Sequence, residues 1–177
     1  MKLDVERATL VVIDVQEAFR KALPGFGDIA ASTATLVRGA AAIGIPIVVT
    51  EQYPKGLGET VAEVAAHLPE RTERVEKVRF SAAEVEGFEL GGRDQALVCG
   101  IEAHVCVNQT VLDLIDEDVE VHVAADAVGS RTEANRELGL AKMERAGAIV
   151  SGVEMALFEL LGGSDAKAFK QVQGLVK

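Results

Sequence analysis

The stretch "QALVCGIEAHVCVNQTVLDLIDEDVEVHVAAD", residues 95–126, decides the fold. It opens on a short apolar run ending at Gly100. A segment of helical period follows, from about Ala103 through "VCVNQTVLDLIDE", and a β-branched run, "VEVHVAA" (119–125), closes it. Strand, helix and strand in that order make a βαβ unit, whose strands lie parallel in one sheet.

The same alternation extends in both directions. "TLVVIDV" (9–15) is a first strand, apolar enough to be buried on both faces. "DIAASTATLVRGAAAIG" (28–44) reads as a helix with Ile29, Leu36, Val37, Ala40 and Ile43 on one stripe and Gly44 as its stop. "IPIVVT" (45–50) is the second strand, and in "EQYPKGLGET" (51–60) Pro54, Gly56 and Gly58 predict an irregular loop. A short helix in "TVAEVAAHL" and a third strand in "ERVEKV" (73–78) precede the unit quoted above. After it, "SRTEANRELGLAKMERAG" reads as a helix with Ser130 and Glu133 at capping-box spacing and Gly147 at its end. "AIVSG" is strand six, and the tail "EMALFELLGGSDAKAFKQVQ" is helical. The expected architecture is therefore α/β: a doubly wound, six-stranded parallel sheet with helices on both faces, Rossmann-like, in one domain over 1–177.

Composition excludes several function classes. With 49% hydrophobic and 26% charged residues the 177-residue chain has an ordinary globular balance. Its net charge of -10 and pI near 4.8 oppose binding to phosphate backbones or anionic lipid, so neither nucleic acid nor membrane is an expected partner. The charged start "MKLDVERATL" lacks the apolar core of a signal peptide, and a cytoplasmic location is the expectation. Cys99 and Cys106 are then expected as thiols.

In doubly wound sheets, ligands bind beyond the carboxyl ends of the strands, near the point where strand order reverses. The polar residues at those ends are Asp14, Thr50 with Glu51, Lys77, the Gly100–Cys106 turn and Asp126. Each has an ordinary alternative taken alone. Asp14 interrupts an apolar strand, where a carboxylate needs a partner, yet a strand-end Asp also suits a local cap. A strand-end lysine such as Lys77 is usually solvated. Cys106 lies in the first turn of a helix, whose free N–H groups and dipole favour a thiolate, but a free cysteine is more often a small buried hydrophobe. Together they place a carboxylate, an ammonium and a thiol at one end of the sheet, the set that activates a nucleophile. Cys99, inside "ALVCG", reads as inert core. Gln16, on the face of Asp14, with Phe19, Tyr53, Glu102 and His104, are the candidates for lining a substrate pocket. His67 and His122 are isolated, and no spacing of ligands predicts a metal site or any cofactor.

The segments "LVVIDVQEAF", "TEQYPKGLGET", "KVRFSA", "LVCGIEAHVCVNQTVLDL" and "VHVAADAVGSR", in that order, resemble the isochorismatase-like cysteine hydrolases, most closely the isochorismatase domain-containing branch. The resemblance covers nearly the whole chain and implies an isochorismatase-like hydrolase fold with an Asp14–Lys77–Cys106 catalytic triad. It also implies a cis peptide between Ile101 and Glu102, an oxyanion hole formed by the backbone N–H groups of Glu102 and Cys106, and a homo-oligomer. Two departures refine it. Isochorismatases proper cleave a vinyl ether without this cysteine, and the nicotinamidase branch carries a D-x-H metal sequence where this chain has "TEQYP". The expected activity is thus metal-free, amidase-type hydrolysis of a small-molecule C–N bond through a thioester. A non-catalytic binding or scaffold protein and a thiol-based redox sensor are the alternatives.

Overall fold

A computed structural model describes the whole chain, Met1–Lys177. Six parallel strands form one sheet: β1 (Ala8–Ile13), β2 (Ile47–Gln52), β3 (Arg74–Lys77), β4 (Gln95–Ile101), β5 (Glu120–Gly129) and β6 (Ile149–Ser151), in the spatial order β3-β2-β1-β4-β5-β6. The chain builds outward from β1 to one edge, then restarts at β4 on the other side. The order thus reverses between β1 and β4, the crevice in which such sheets bind ligands.

The helices are α1 (Phe26–Ile43), α2 (Pro54–Leu57), α3 (Ala62–Ala65), α4 (Cys106–Asp116), α5 (Glu133–Ala146), α6 (Val153–Leu161) and α7 (Phe169–Leu175). Every residue of β1 and β4 is buried, as a central strand covered on both faces requires. Alternation divides their side chains. Leu10, Val12, Leu97 and Cys99 pack with α1, α6 and α7, whereas Val11, Ile13, Ala96 and Val98 pack with α4 and Met143 of α5.

Several local expectations are corrected. The loop 51–60 holds a helical turn, Pro54–Leu57, because Pro54 occupies its first position, where the missing N–H costs nothing. A 3-10 turn, Glu17–Lys21, follows β1. The cap of α5 is Thr132, whose side chain accepts from the Asn135 N–H at 3.2 Å; Ser130 lies outside the helix and is buried. The C-terminal tail is two helices rather than one, divided at Gly162, which has φ 71°.

Gly100, in β4, holds φ 123°, and a Cβ there would run into the Ile13 carbonyl of the adjoining strand. This close approach brings the end of β1 against the start of the β4–α4 turn. We expect Gly100→Ala to cost at least about 3 kcal/mol, read as a fall in the urea midpoint, because the substitution meets both a left-handed backbone and a backbone clash. A wild-type midpoint would show that β1 and β4 can part here.

Candidate active site

Asp14 directly follows β1, with φ 52°, a left-handed conformation that aspartate adopts more readily than bulky residues. Its side chain is wholly buried, so the carboxylate must be compensated. Two partners do this. Thr50 Oγ1, near the end of β2, donates to Oδ1 at 2.7 Å, and Lys77 Nζ, at the end of β3, donates to Oδ2 at 2.7 Å. Since β2 separates β1 from β3, the Lys77 stem spans the end of β2 to reach Asp14. Its ammonium also meets Gln52 Oε1 at 2.7 Å, the Phe80 carbonyl at 2.9 Å and the Arg79 carbonyl at 3.2 Å. An ammonium has three N–H groups, and the protein supplies oxygens enough for all of them. Lys77 is thus a fixed buried charge rather than a solvated strand end.

Cys106 opens α4 with only 6% of its surface exposed. Asp14 and Lys77 both act on its thiol. The thiol is pushed up to about 12, first by burial and then by the negative charge of Asp14, while Lys77 pulls it down. Burial and Asp14 thus act on the thiol in one direction and Lys77 in the other, with burial the largest of the three. Cys99 is also pushed up to about 12 by burial, is fully enclosed, and faces the opposite side of the sheet from Cys106. Both cysteines are free.

The turn between β4 and α4 contains a cis peptide at Ile101–Glu102. The N–H groups of Glu102 and Cys106 have no hydrogen-bond partner within the chain, and neither do those of His104 and Asn108, whereas those of Ala103, Val105 and Val107 are paired. The turn that leads into Cys106 thus keeps backbone donors free. The Glu102 carboxylate faces away from them, accepting from the backbone N–H and Nε of Arg131, each at 3.0 Å. Thr110 secures the assembly from α4: its hydroxyl donates to the Cys106 carbonyl at 2.7 Å and accepts from the Ala82 N–H at 3.0 Å. This ties the loop after Lys77 to the helix that opens on Cys106.

The candidate lining residues separate. Gln16 is fully buried, and its amide is consumed by Gln52 and Gly58: Nε2 donates to their carbonyls at 3.0 and 2.6 Å, and Oε1 accepts from the Gln52 N–H at 2.7 Å. Its amide group is therefore engaged by the backbone on both sides. Phe19 packs half-buried against the α1 side of the core. Tyr53 is 55% exposed, and His104, half-buried, bonds through Nδ1 to Ser130 Oγ at 3.0 Å. Tyr53 belongs to a cleft of about 470 Å³ bordered also by Pro54, Lys55, Glu76, Lys77 and Val78. Asp14 and Cys106 do not line it. Asp126 instead caps α6, accepting from the Val153 N–H at 2.8 Å.

Sequence reasoning missed Gln52 altogether. The available signal was its spacing of two from Thr50 at a strand's carboxyl end, which aims both side chains at the same face. Glu51 is buried on Thr60, accepting from its N–H and hydroxyl at 2.7 and 2.6 Å. No three His, Cys, Asp or Glu side chains are gathered as a metal-ion cage, and no helix is long and apolar enough to cross a membrane.

Comparison with known proteins gives concordant matches. The isochorismatase domain family model matches residues 8–155. Isochorismatase domain-containing protein 1 of Salmo salar is 41% identical over 93% of this chain, which spans only 59% of that relative's length. Isochorismatase domain-containing protein 2 of Macaca fascicularis is 39% identical over 95% of this chain and 82% of its own. Among solved structures, MAR1 ribonuclease from Caenorhabditis elegans superposes with a TM-score of 0.96 at 39% identity, covering 99% of this chain and 92% of that one.

Proposed function

We propose, from the premise that the chain belongs to the isochorismatase domain family, that it is a cysteine-dependent hydrolase of a small-molecule C–N bond, amide or carbamoyl in type. The observation that carries this reading is the meeting of a buried Asp14–Lys77 pair, the Cys106 thiol and two unpaired backbone N–H groups at the strand-order reversal. A scaffold protein has no use for such a cluster, and stabilising a buried pair of this kind costs more than apolar packing would.

The steps follow from the residues. Asp14 takes the Cys106 proton as the sulfur attacks the carbonyl carbon, so the thiolate exists only as it reacts. The tetrahedral oxyanion lies against the N–H groups of Glu102 and Cys106; in comparable sites one such donor contributes about 3 to 4 kcal/mol. Collapse breaks the C–N bond, and Asp14 returns the proton to the leaving nitrogen. A water then loses a proton to Asp14 and attacks the thioester; the departing thiolate recovers that proton, leaving a carboxylic acid and the free enzyme. Lys77, all of its N–H groups held by protein oxygens, holds charge and carries no proton.

A redox sensor is less well supported. Burial pushes the Cys106 thiol up, away from the thiolate a sensor would use, and Cys99 lies across the sheet. The ribonuclease named for the C. elegans neighbour is a separate comparison arm, although this chain's net charge of -10 opposes a polyanion. The deciding experiment is to screen the protein against a panel of small amides and ureido compounds, with an RNA oligonucleotide alongside. Intact-protein mass spectrometry then looks for an acyl adduct. RNA cleavage without amide turnover overturns this reading. We further propose a homo-oligomer, to be checked by light scattering; the exposed Tyr53, Val78 and Phe80 beside the site are the apolar surface for such contact.

Turnover is expected to survive dialysis against EDTA, because no three His, Cys, Asp or Glu side chains gather as a ligand set, Glu51 and His67 included. Loss on chelation with recovery on adding Zn²⁺ or Mn²⁺ would overturn the metal-free mechanism.

A further inference from the structure

We infer that Gln52 is a positioning residue that sets the reactivity of Cys106 by holding the Lys77 ammonium above the end of β2, an inference resting on the triad reading above. Three observations support it. Gln52 Oε1 lies 2.7 Å from Lys77 Nζ, as close as Asp14 does. The amide cannot turn freely, since its Nε2 donates to the Val78 carbonyl at 2.9 Å and so keeps Oε1 toward the lysine. The backbone of Gln52 is itself clamped on both sides by the Gln16 amide, its N–H donating to Oε1 and its carbonyl accepting from Nε2. Two glutamines thus form a chain from β1 through β2 to the ammonium of β3.

The chemistry of Gln52 fits this task. Lys77 is drawn toward Asp14 by charge, and a second carboxylate in place of Gln52 would neutralise the ammonium and cancel its pull on the sulfur. A neutral amide oxygen holds the lysine by a charge-assisted hydrogen bond while leaving its charge intact. The charged groups facing the thiol are Asp14 from β1 and Lys77 from β3; Glu102, on the approach to α4, is turned to Arg131. Removing the Gln52 oxygen leaves the ammonium held by Asp14 and by the Arg79 and Phe80 carbonyls alone, and so shifts the one cation of the cluster from the position in which it lowers the thiol.

The test is the pH profile of Cys106 alkylation by iodoacetamide in wild type, Gln52→Met, Lys77→Met and the double variant. Gln52→Met, similar in volume but without the acceptor, is expected to move the profile to higher pH and slow alkylation at pH 8 about 3- to 10-fold. In the Lys77→Met background the same change is expected to add nothing, because the lysine through which it acts is gone. Gln52→Leu, which also lacks the acceptor and adds no charge, is expected to slow alkylation as well, and carries the test should Gln52→Met fail to fold. A wild-type profile in both Gln52 variants overturns the inference. So does equal slowing by Gln52→Met with and without Lys77, which would mark a general effect on folding. Alkylation does not require turnover, so finding no amide substrate would sink the hydrolase reading and leave this result intact.

Discussion

Cys106→Ala is expected to lower turnover of any amide substrate at least about 10⁴-fold, and the acyl adduct is expected to vanish from the mass spectrum. Loss of the attacking atom removes the whole covalent route, and remaining catalysis would come only from binding and the two backbone donors. Stability is expected to change little, since a small, nearly buried side chain is replaced by a slightly smaller one. Folding and chemistry therefore separate in this variant. Cys99→Ala is its control, with turnover kept, because Cys99 faces the α1 side of the sheet. Limited alkylation and peptide mapping are expected to place the label on Cys106 alone. A Cys106→Ala protein that retains turnover, or a label found chiefly on Cys99, would remove the nucleophile from the mechanism.

How far the sequence anticipates this site depends on the kind of interaction involved. The sheet was legible because its signal is periodic: the apolar runs of β1 and β4 are buried throughout, and the helical stripe of Ile29, Leu36, Val37 and Ala40 is buried in α1. Asp14 and Lys77 were legible as candidates because each sits at a strand's carboxyl end, and parallel topology brings all such ends to one side. Their mutual bond was not, because it depends on β2 lying between their strands, and strand order cannot be read from periodicity. The balance of effects on the Cys106 thiol was not legible for a related reason. Helix position and a neighbouring lysine are visible in a sequence, whereas the burial that outweighs them is a property of the packed whole. Gln16 shows the same limit, since a polar residue on the right face can be consumed entirely by backbone partners.

Asp14→Asn distinguishes base from bystander, because it is expected to move two properties of Cys106 in opposite directions. The carboxylate's negative charge raises the thiol, so its removal is expected to lower it and to speed iodoacetamide alkylation near pH 8 about tenfold. Amide turnover, in contrast, is expected to fall about 10³-fold, since an asparagine can neither take the thiol proton nor return it to the leaving nitrogen. A better nucleophile in a dead enzyme is an outcome that few other roles for Asp14 would produce. The variant also leaves the Lys77 ammonium buried without its counter-ion, which is expected to cost about 3 kcal/mol in urea denaturation. Alkylation is therefore to be measured well below the unfolding midpoint, with circular dichroism verifying the fold. Lys77→Met supplies the mirror image: alkylation is expected to slow, because the one charge that favours the thiolate is lost, and turnover to fall with it. Should Asp14→Asn keep amide turnover near the wild-type rate, whatever its alkylation does, the assignment of Asp14 as the base would fail.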